Sequence, residues 1–412
     1  MEKITNLFNT YISGNEFLNK HYPQVMHDQI DYLFGTGKRV RAVLYLAFIN
    51  YSIESEPHHL EIAVLIETIH CLSLVIDDLP EMDNDQVRRG ILSFHTKWGR
   101  YQTEMFIFYI LNKVVSTVSS LSNLAEDTAT LINKSSDTHD TRDTSLTRDT
   151  CKQIKTLIAR CLDMLVDGQY IDLLISTQSN NSITVDVTVD VTTDATASTN
   201  VDNTIYIAPF TSVINTIFFN LENINMDKKT INQIELNIEL NCKKTGSLFN
   251  LAISSGIYWQ INNVKQRYYK LPNKSNVNDD TDNPDLSYDY DDHDALDAHD
   301  AHDAYKVANS TLDLHIVEFT DIIANWSYIL GYSFQICDDV LDVDSDSESG
   351  KPNLCLIIGI ENCKMLIDKL VHYLIYRLDY IEQYIYLYLH NSIYIHRPLI
   401  IEIIEKIVKR IK

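Results

Sequence analysis

Two apolar segments with helical periodicity, residues 64–76 and 322–341, each lead into a group of aspartates. Apolar residues that recur every three or four positions predict helices with a buried face, and only 11 glycines and 8 prolines interrupt the 412 residues. The sequence therefore predicts an all-α protein in which two helices carry carboxylates to one end of a core. The two groups are Asp77, Asp78 and Asp83, and Asp338, Asp339 and Asp342.

The spacing within each group indicates how the carboxylates can meet. Asp338 and Asp342 are four residues apart and so lie on one face of a helix. Asp77 and Asp83 are six residues apart, which separates them by about 240° around a continuous helix. Pro80 lies between them and disrupts helical hydrogen bonding. We therefore predict that the helix ends near Asp78 and that a loop returns Asp83 to the side of Asp77.

The chemistry of these side chains favours one class of ligand. Carboxylate oxygens without histidine or cysteine are typical of Mg²⁺ sites, which substrate phosphates complete, and not of zinc sites. One such group alone is more typical of a solvated helix end. The second group, together with Arg88 and Arg89 after the first, favours a site that binds divalent metal and polyphosphate.

The two groups resemble the aspartate-rich motifs of the trans-polyprenyl diphosphate synthases, and other motifs of that family occur in the expected order. The first group resembles the DDxxxxD form that is followed by RRG. The remaining resemblances are Thr36-Gly37-Lys38-Arg39-Val40-Arg41 to GGKRxR, Gly168-Gln169-Tyr170-Ile171-Asp172 to GQxxD, Lys244-Thr245-Gly246 to KTG, and Phe334-Gln335 with the second group to FQxxDD.

The resemblance implies a single-domain helical bundle around a central cavity for a prenyl chain, a homodimeric assembly, and a condensation of isopentenyl diphosphate with an allylic diphosphate. It implies that all six aspartates anchor three Mg²⁺ ions and that released pyrophosphate takes the final proton, so we assign no general base. The implied isopentenyl diphosphate ligands are Lys38, Arg41, His70 and Arg89. Arg88 and Lys244 face the allylic diphosphate, and Gln169, Thr245, Phe334, Gln335 and Lys351 complete the substrate site.

Some residues depart from the family pattern. Residues 100–109 are bulky where the family has small residues, and Lys351 alone stands where the family has two separated lysines. Product length in the family depends on the residue five before the first aspartate, which is Leu72 here. Its size favours geranylgeranyl over farnesyl diphosphate, unless Phe106 or Phe108 forms a substitute floor for the cavity.

Low-complexity segments near residues 122–150, 177–204 and 262–310 interrupt the domain, which spans 1–412. They carry much of the net charge of −23, since residues 279–303 contain eleven aspartates and no lysine or arginine. We expect loops there, and for His293, His299 and His302 a solvated run instead of a metal site. This charge also argues against a nucleic-acid partner.

Targeting signals are not evident in the sequence. Seven unclustered cysteines imply no disulfide framework, and we expect neither a transmembrane segment nor a signal peptide. We therefore expect a cytoplasmic enzyme, or an organellar one if a leader precedes this sequence.

Two alternatives stay open. A terpene cyclase also uses an aspartate-rich motif and Mg²⁺, but it needs no isopentenyl diphosphate site. A catalytically weak partner subunit of a prenyl synthase would tolerate the bulky segment and the shortened lysine loop.

Overall fold

The chain is described by a computed structural model that covers residues 2–13, 21–35, 37–49, 58–133, 141–180, 227–268, 293–389 and 392–411. Within these residues the elements follow one another as α1 (Glu2–Ile12), a 3₁₀ turn (Gln24–Met26), α2 (His27–Phe34), α3 (Val40–Phe48), α4 (His58–Asp77), β1 (Val87–Arg88), β2 (Ile91–Leu92), α5 (Phe94–Trp98), α6 (Arg100–Asn133), α7 (Thr141–Asn180), α8 (Lys228–Asn241), a π-helical turn (Cys242–Gly246), α9 (Ser247–Tyr268), α10 (His293–Leu341), α11 (Val343–Ser349), α12 (Leu354–Ile358), α13 (Ile360–Tyr388) and α14 (Arg397–Lys409). The predicted all-α class is confirmed.

Helix α9 lies inside the bundle and packs against α3, α7 and α10. Its buried side chains include Phe249 and Ile253, and α10 contributes Trp326 and Tyr332 to the same apolar core. Helix α13 packs on the far side of α10, and α6 packs between α4 and α7. Burial of these apolar faces drives the packing of the helices, so the aspartates at the helix ends remain at the mouth of the bundle.

A pair of glycines lets α10 approach the turn before α9. A Cβ atom on Gly331 would lie 2.7 Å from Gly246 Cα, closer than a side chain allows. This contact brings the segment with Thr245 beside the turn of α10 that carries Gln335.

Sequence-specific caps fix some helix ends. Asp227 accepts a hydrogen bond from the Thr230 amide at 2.7 Å and begins α8, and Asn353 accepts one from the Cys355 amide at 2.8 Å and begins α12. Such caps satisfy amides that have no partner within the helix.

The helices extend into all three low-complexity segments. Residues 122–133, 141–150, 177–180, 262–268 and 293–310 are helical, so our expectation of loops is wrong there. These stretches continue long helices whose other turns pack in the bundle, and propagation adds one hydrogen bond per residue at little further cost. Residues 134–140, 181–204 and 269–292 lie outside the described residues.

Helix α4 is long and apolar enough to span a membrane by composition, contrary to our reading of the sequence, over residues His59–Asp77. In the bundle, however, 72% of that stretch is buried, which is typical of a core helix. The seven cysteines are buried and free.

Candidate active site

The first aspartate group lies in a loop that folds back onto the end of α4. The helix ends at Asp77, and the Asp83 amide donates to the Asp77 carbonyl at 2.9 Å. The Asn84 amide donates to the Leu79 carbonyl at 3.0 Å, and Asn84 has a left-handed backbone with φ of 53°, which asparagine tolerates better than most residues. The loop around Pro80 thus returns Asp83 beside Asp77, as predicted.

A short hairpin after this loop presents the two arginines. Its turn residues, Arg89 and Gly90, have φ of 54° and 80°, the pair of positive values that a type I′ turn requires. Arg88 closes over Asp78, since its Nε donates to Asp78 Oδ1 at 2.7 Å and its Nη2 to Asp85 Oδ2 at 2.9 Å. The hairpin is therefore held against α4 by charge.

A basic pocket lies near the hairpin. Arg41 Nη1 donates to His70 Nε2 at 3.1 Å, and its guanidinium lies 4.9 Å from the ring centre of Phe249 and 6.0 Å from that of Phe334. Lys38, in the same segment, is exposed. Burial lowers the pKa of Arg41 to about 10, and burial followed by the nearby arginine charges lowers the pKa of His70 well below its usual value. At neutral pH a charged guanidinium therefore lies beside a neutral imidazole.

The second aspartate group is covered by the C-terminal residues. Arg410, just beyond α14, donates from Nη2 to Asp338 Oδ1 at 2.5 Å, and its guanidinium lies 4.8 Å from the ring centre of Phe334. The Asp342 amide donates to the Asp338 carbonyl at 2.9 Å. Two guanidinium groups, those of Arg41 and Arg410, therefore lie over one phenylalanine ring.

Three nitrogen atoms of this pocket lack a hydrogen-bond partner within the described residues. They are Arg41 Nε, His70 Nδ1 and Arg410 Nη1, and all three are buried. Buried polar atoms without partners are costly and uncommon in native proteins. Two of the three belong to cations, so the missing partner has the chemistry of an anion such as a phosphate.

The π-helical turn directs Lys244 toward the first aspartate group, and such turns occur often at functional sites. Lys244 Nζ lies 2.5 Å from Asp172 Oδ2 and 3.8 Å from Asp77 Oδ1. Gln169 Nε2 donates to the same Asp77 oxygen at 2.5 Å. Burial opposes the charge of Lys244, but Asp77 and Asp172 raise the pKa of its amine above the usual value, which keeps it charged.

Two contacts bring the aspartate groups together across the mouth. Lys351 Nζ lies 3.0 Å from Asp83 Oδ2, and Thr245 Oγ1 donates to Gln335 Oε1 at 2.9 Å. The first contact joins the loop after the second group to the first group. Asp83 therefore lies beside the loop that follows the second group.

The six aspartates divide into two kinds. Asp78 and Asp339 are each 3% exposed. Arg88 pairs with Asp78, and Asp339 accepts hydrogen bonds from the Leu354 backbone amide at 2.9 Å and from Gln335 Nε2 at 3.1 Å. Burial raises the pKa of Asp339 to about 7. Arg88 pairs with one oxygen of Asp78, and both oxygens of Asp339 accept hydrogen bonds from the protein. Metal binding by all six aspartates stays a prediction, and Asp77, Asp83, Asp338 and Asp342 are the more exposed four.

The mouth carboxylates fit Mg²⁺ by their chemistry. Within the described part of the chain, no three histidine, cysteine, aspartate or glutamate side chains lie close enough to form a metal site. Cations of the protein instead lie on Asp77, Asp83 and Asp338. Mg²⁺ keeps several waters and binds through one or two carboxylates and substrate phosphates, so paired carboxylates on two facing segments match its needs.

The residues proposed to set product length differ in position. Leu72 is buried on α4, and Phe106 is buried with its ring centre 4.5 Å from that of Phe94. Phe108 is 67% exposed, because two residues further along a helix the side chain points about 200° away. Phe108 as a cavity floor is therefore wrong, and the bulk of Tyr101 and Met105 also faces outward.

Sequence reasoning missed two residues of this site. Neither Arg410 nor Asp172 is among the predicted site residues, although Asp172 is part of the segment that resembles GQxxD. No local signal marks Arg410, because only the packing of α14 against α10 brings it to Asp338. Asp172 could have been found from its place in the GQxxD segment.

A family model described as polyprenyl synthetase matches residues 23–216. Over these residues, just under half of the chain, it is similar to the polyprenyl synthetase family. The matched residues include the basic segment, the first aspartate group with its arginines, and the GQxxD segment.

Known members of the polyprenyl synthetase family resemble the chain over short stretches. It is 39% identical to the farnesyl diphosphate synthase of Micrococcus luteus over 89 residues, which are 21% of this chain and 30% of that protein. It is 41% identical to the chloroplastic geranylgeranyl pyrophosphate synthase of Capsicum annuum over 78 residues, 19% of this chain and 21% of that protein. The matched part thus spans less than a third of either relative.

A solved structure extends the likeness in fold to nearly the whole chain. The FPP/GFPP synthase of Zymomonas mobilis superposes with a TM-score of 0.54 at 17% identity, and the alignment covers 99% of this chain and 98% of that one. The chain therefore has the isoprenoid synthase fold.

Proposed function

We propose that this chain is a short-chain trans-prenyltransferase that condenses isopentenyl diphosphate with an allylic diphosphate. The observation that carries the proposal is the set of buried nitrogens of Arg41, His70 and Arg410 that lack partners among the described residues. They lie beside a second group of cations, Arg88 and Lys244, on the first aspartate group. Two adjacent sites for anions at one mouth are what a reaction between two diphosphates requires.

Isopentenyl diphosphate would bind in the basic pocket. Arg41 stays charged because its pKa of about 10 lies above neutral pH, and neutral His70 offers a hydrogen bond without a second buried charge. Exposed Lys38 and Arg89 at the hairpin turn would complete the cradle. Guanidinium groups bind phosphate through two parallel hydrogen bonds, which fixes the orientation of the substrate.

The allylic diphosphate would bind between the two aspartate groups. Arg88 and Lys244 supply fixed positive charge there, and Asp77, Asp83, Asp338 and Asp342 would hold Mg²⁺, for which we propose three ions by resemblance to the family. Bound Mg²⁺ would supply Lewis acidity that stabilises the departing pyrophosphate. Preorganised cations are worth most where charge develops in the transition state, and Lys244 and Arg88 lie where that charge would appear.

The reaction breaks the carbon–oxygen bond of the allylic diphosphate, and the electron pair leaves with pyrophosphate. The alkene of isopentenyl diphosphate then attacks the allylic cation, and a proton is lost to the released pyrophosphate. Apolar walls protect such a cation from water, and Leu72 and Phe106 supply buried apolar surface below the first group. We propose geranylgeranyl or farnesyl diphosphate as the product, with Leu72 favouring the longer chain.

A homodimer is a further part of the proposal. Tyr101, Met105 and Phe108 of α6 and Val166 and Tyr170 of α7 are 65 to 82% exposed. The two helices lie side by side, since Lys155 Nζ donates to the Ser119 carbonyl at 3.2 Å. Several exposed apolar side chains on neighbouring helices are typical of an interface.

The direct test is to incubate the purified chain with Mg²⁺, labelled isopentenyl diphosphate and, separately, dimethylallyl, geranyl or farnesyl diphosphate, and to measure the length of the products. Chain extension is the expected result. A folded protein that gives none would favour the partner-subunit alternative, and cyclised products formed without isopentenyl diphosphate would favour the terpene cyclase.

A further inference from the structure

An ion pair lies buried directly below the basic pocket. Arg39 Nη1 is 3.5 Å from Glu67 Oε1, and the two side chains are 3% and 1% exposed. Arg39 Nε donates to Asn9 Oδ1 at 3.1 Å, and the guanidinium lies 5.7 Å from the ring centre of Phe34. Two ions are removed from water here, which costs free energy that their mutual attraction must offset. No residue of this pair has a role in the proposed chemistry.

The Arg39 guanidinium supports the backbone that carries Lys38. Arg39 has a left-handed backbone with φ of 56° and directly precedes α3. A Cβ atom on Gly37 would overlap Arg39 Nη1 and lie 3.1 Å from Arg89 Nη1. The Gly37 backbone therefore rests on one guanidinium and adjoins another, so a shift of Arg39 would move Lys38 and disturb Arg89.

Glu67 links this turn to the other side of the pocket. It lies on α4 three residues before His70, and so on the same face of the helix. Arg41, two residues after Arg39, donates to His70 at 3.1 Å. Two side-chain contacts thus join the start of α3 to α4. One is the buried ion pair, and the other is the hydrogen bond between Arg41 and His70. The ion pair sets the distance between the two segments at which the second contact forms.

The charges around Glu67 also indicate that it stabilises this arrangement. The cationic side chains of Arg39, Arg41 and Arg89 surround one part of α4, and Glu67 favours the charged form of Arg41. Glu67 Oε2 and Arg39 Nη1 have no aligned hydrogen-bond partner among the described residues, so the attraction of the two charges maintains the contact. Like-charged guanidinium groups need such a counterion while no diphosphate is bound.

We infer that Glu67 is a positioning residue for isopentenyl diphosphate: through Arg39 it fixes the turn with Lys38 against the helix with His70. This inference rests on the proposed function, because it assigns the basic pocket to that substrate. Glu67 itself does not touch the substrate. Groups that orient metal ligands commonly change affinity or activity by about 10- to 100-fold when they are removed, and we expect a comparable effect here.

The experiment compares the full-length wild type with Glu67→Gln and with the double variant Arg39→Gln/Glu67→Gln. Isopentenyl diphosphate alone has no allylic partner and is not turned over, so calorimetry measures its binding directly. Steady-state assays then give KM for each substrate, and thermal melting reports stability. Glu318→Gln is the matched control, since Glu318 accepts a hydrogen bond from Tyr384 Oη at 2.8 Å away from the pocket.

We expect Glu67→Gln to weaken isopentenyl diphosphate binding by about tenfold or more, with KM for the allylic substrate changed by less than about twofold. The double variant removes both buried charges, so its melting temperature should recover toward that of the wild type while its binding stays weak. Glu318→Gln should bind as the wild type does.

Each other outcome overturns a distinct claim. If the double variant regains binding together with stability, or if both KM values rise equally in Glu67→Gln, the ion pair is only structural and the inference fails. A wild type that binds isopentenyl diphosphate but never extends an allylic substrate contradicts the proposed reaction and leaves the positioning role supported by the variants. A folded wild type that does not bind isopentenyl diphosphate refutes both.

Discussion

The contact between Arg410 and Asp338 gives a sharp prediction about the C-terminus. Both side chains are about three-quarters buried, the ions are 2.5 Å apart, and the guanidinium also lies over Phe334. A charged hydrogen bond contributes about 1.5–3 kcal/mol, and a partly exposed cation–π contact contributes about 0.5–1 kcal/mol. Partial exposure reduces the first figure through solvent screening.

We therefore expect Arg410→Gln to lower the free energy of unfolding by about 2 kcal/mol in the absence of metal and substrate. Urea unfolding of Arg410→Gln, Asp338→Asn and the double variant measures this as a double-mutant cycle. The coupling between the two residues should reach about 1–2 kcal/mol. The loss in Arg410→Gln should shrink when Mg²⁺ is added, because the ion supplies the positive charge that Asp338 then lacks.

Lys409→Gln is the control for this prediction. Lys409 is adjacent, but it is 71% exposed and lies 3.6 Å from Glu405, so its loss should cost less than about 0.5 kcal/mol. Additive effects of Arg410→Gln and Asp338→Asn, within about 0.5 kcal/mol, would refute the assignment of Arg410 to this site.

Three further predictions concern the aspartates, the cavity and pH. Asp77→Ala or Asp338→Ala should reduce turnover by about 10²–10³-fold or more with an unchanged circular dichroism spectrum, and normal turnover in both would sink the mechanism. Leu72→Phe should shorten the products in the chain-extension assay, whereas Phe108→Leu, on the outer face, should leave their length unchanged. Burial lowers the pKa of His70 in the folded state, so below pH about 6.5 the unfolded chain binds more protons and stability falls with falling pH. His70→Gln should make the melting temperature depend less on pH between pH 5 and 7. An identical dependence in the wild type and the variant would contradict this prediction.

The sequence was sufficient for the class of fold and for the loop of the first motif. Helical periodicity identified the helices that carry the aspartates, and Pro80 alone predicted that Asp83 returns to Asp77. Both results depend on local rules, namely the period of a helix and the missing amide of proline. That the two groups share one site follows from the order of the motifs and not from a local rule, and it stays a prediction.

The remaining features depend on tertiary packing. The exposure of Phe108 and the burial of Phe106 follow from which face of α6 meets the core, and the bulky residues of this segment do not reveal it in the sequence. Asp78 and Asp339 look like the other aspartates until Arg88 and the Leu354 amide are seen to occupy them. The helical extension of the low-complexity segments depends on long helices that already pack elsewhere.

The strength of the Lys351–Asp83 contact bears on how fast two bulky substrates can enter the site. Both side chains are more than a quarter exposed, and a pair of this kind contributes about 1 kcal/mol or less. At that strength thermal motion leaves the contact broken in roughly a sixth or more of the molecules at any moment. Side-chain rotations of exposed residues take nanoseconds or less, so this connection across the entrance opens far faster than any helix moves and does not by itself limit the rate at which substrates enter.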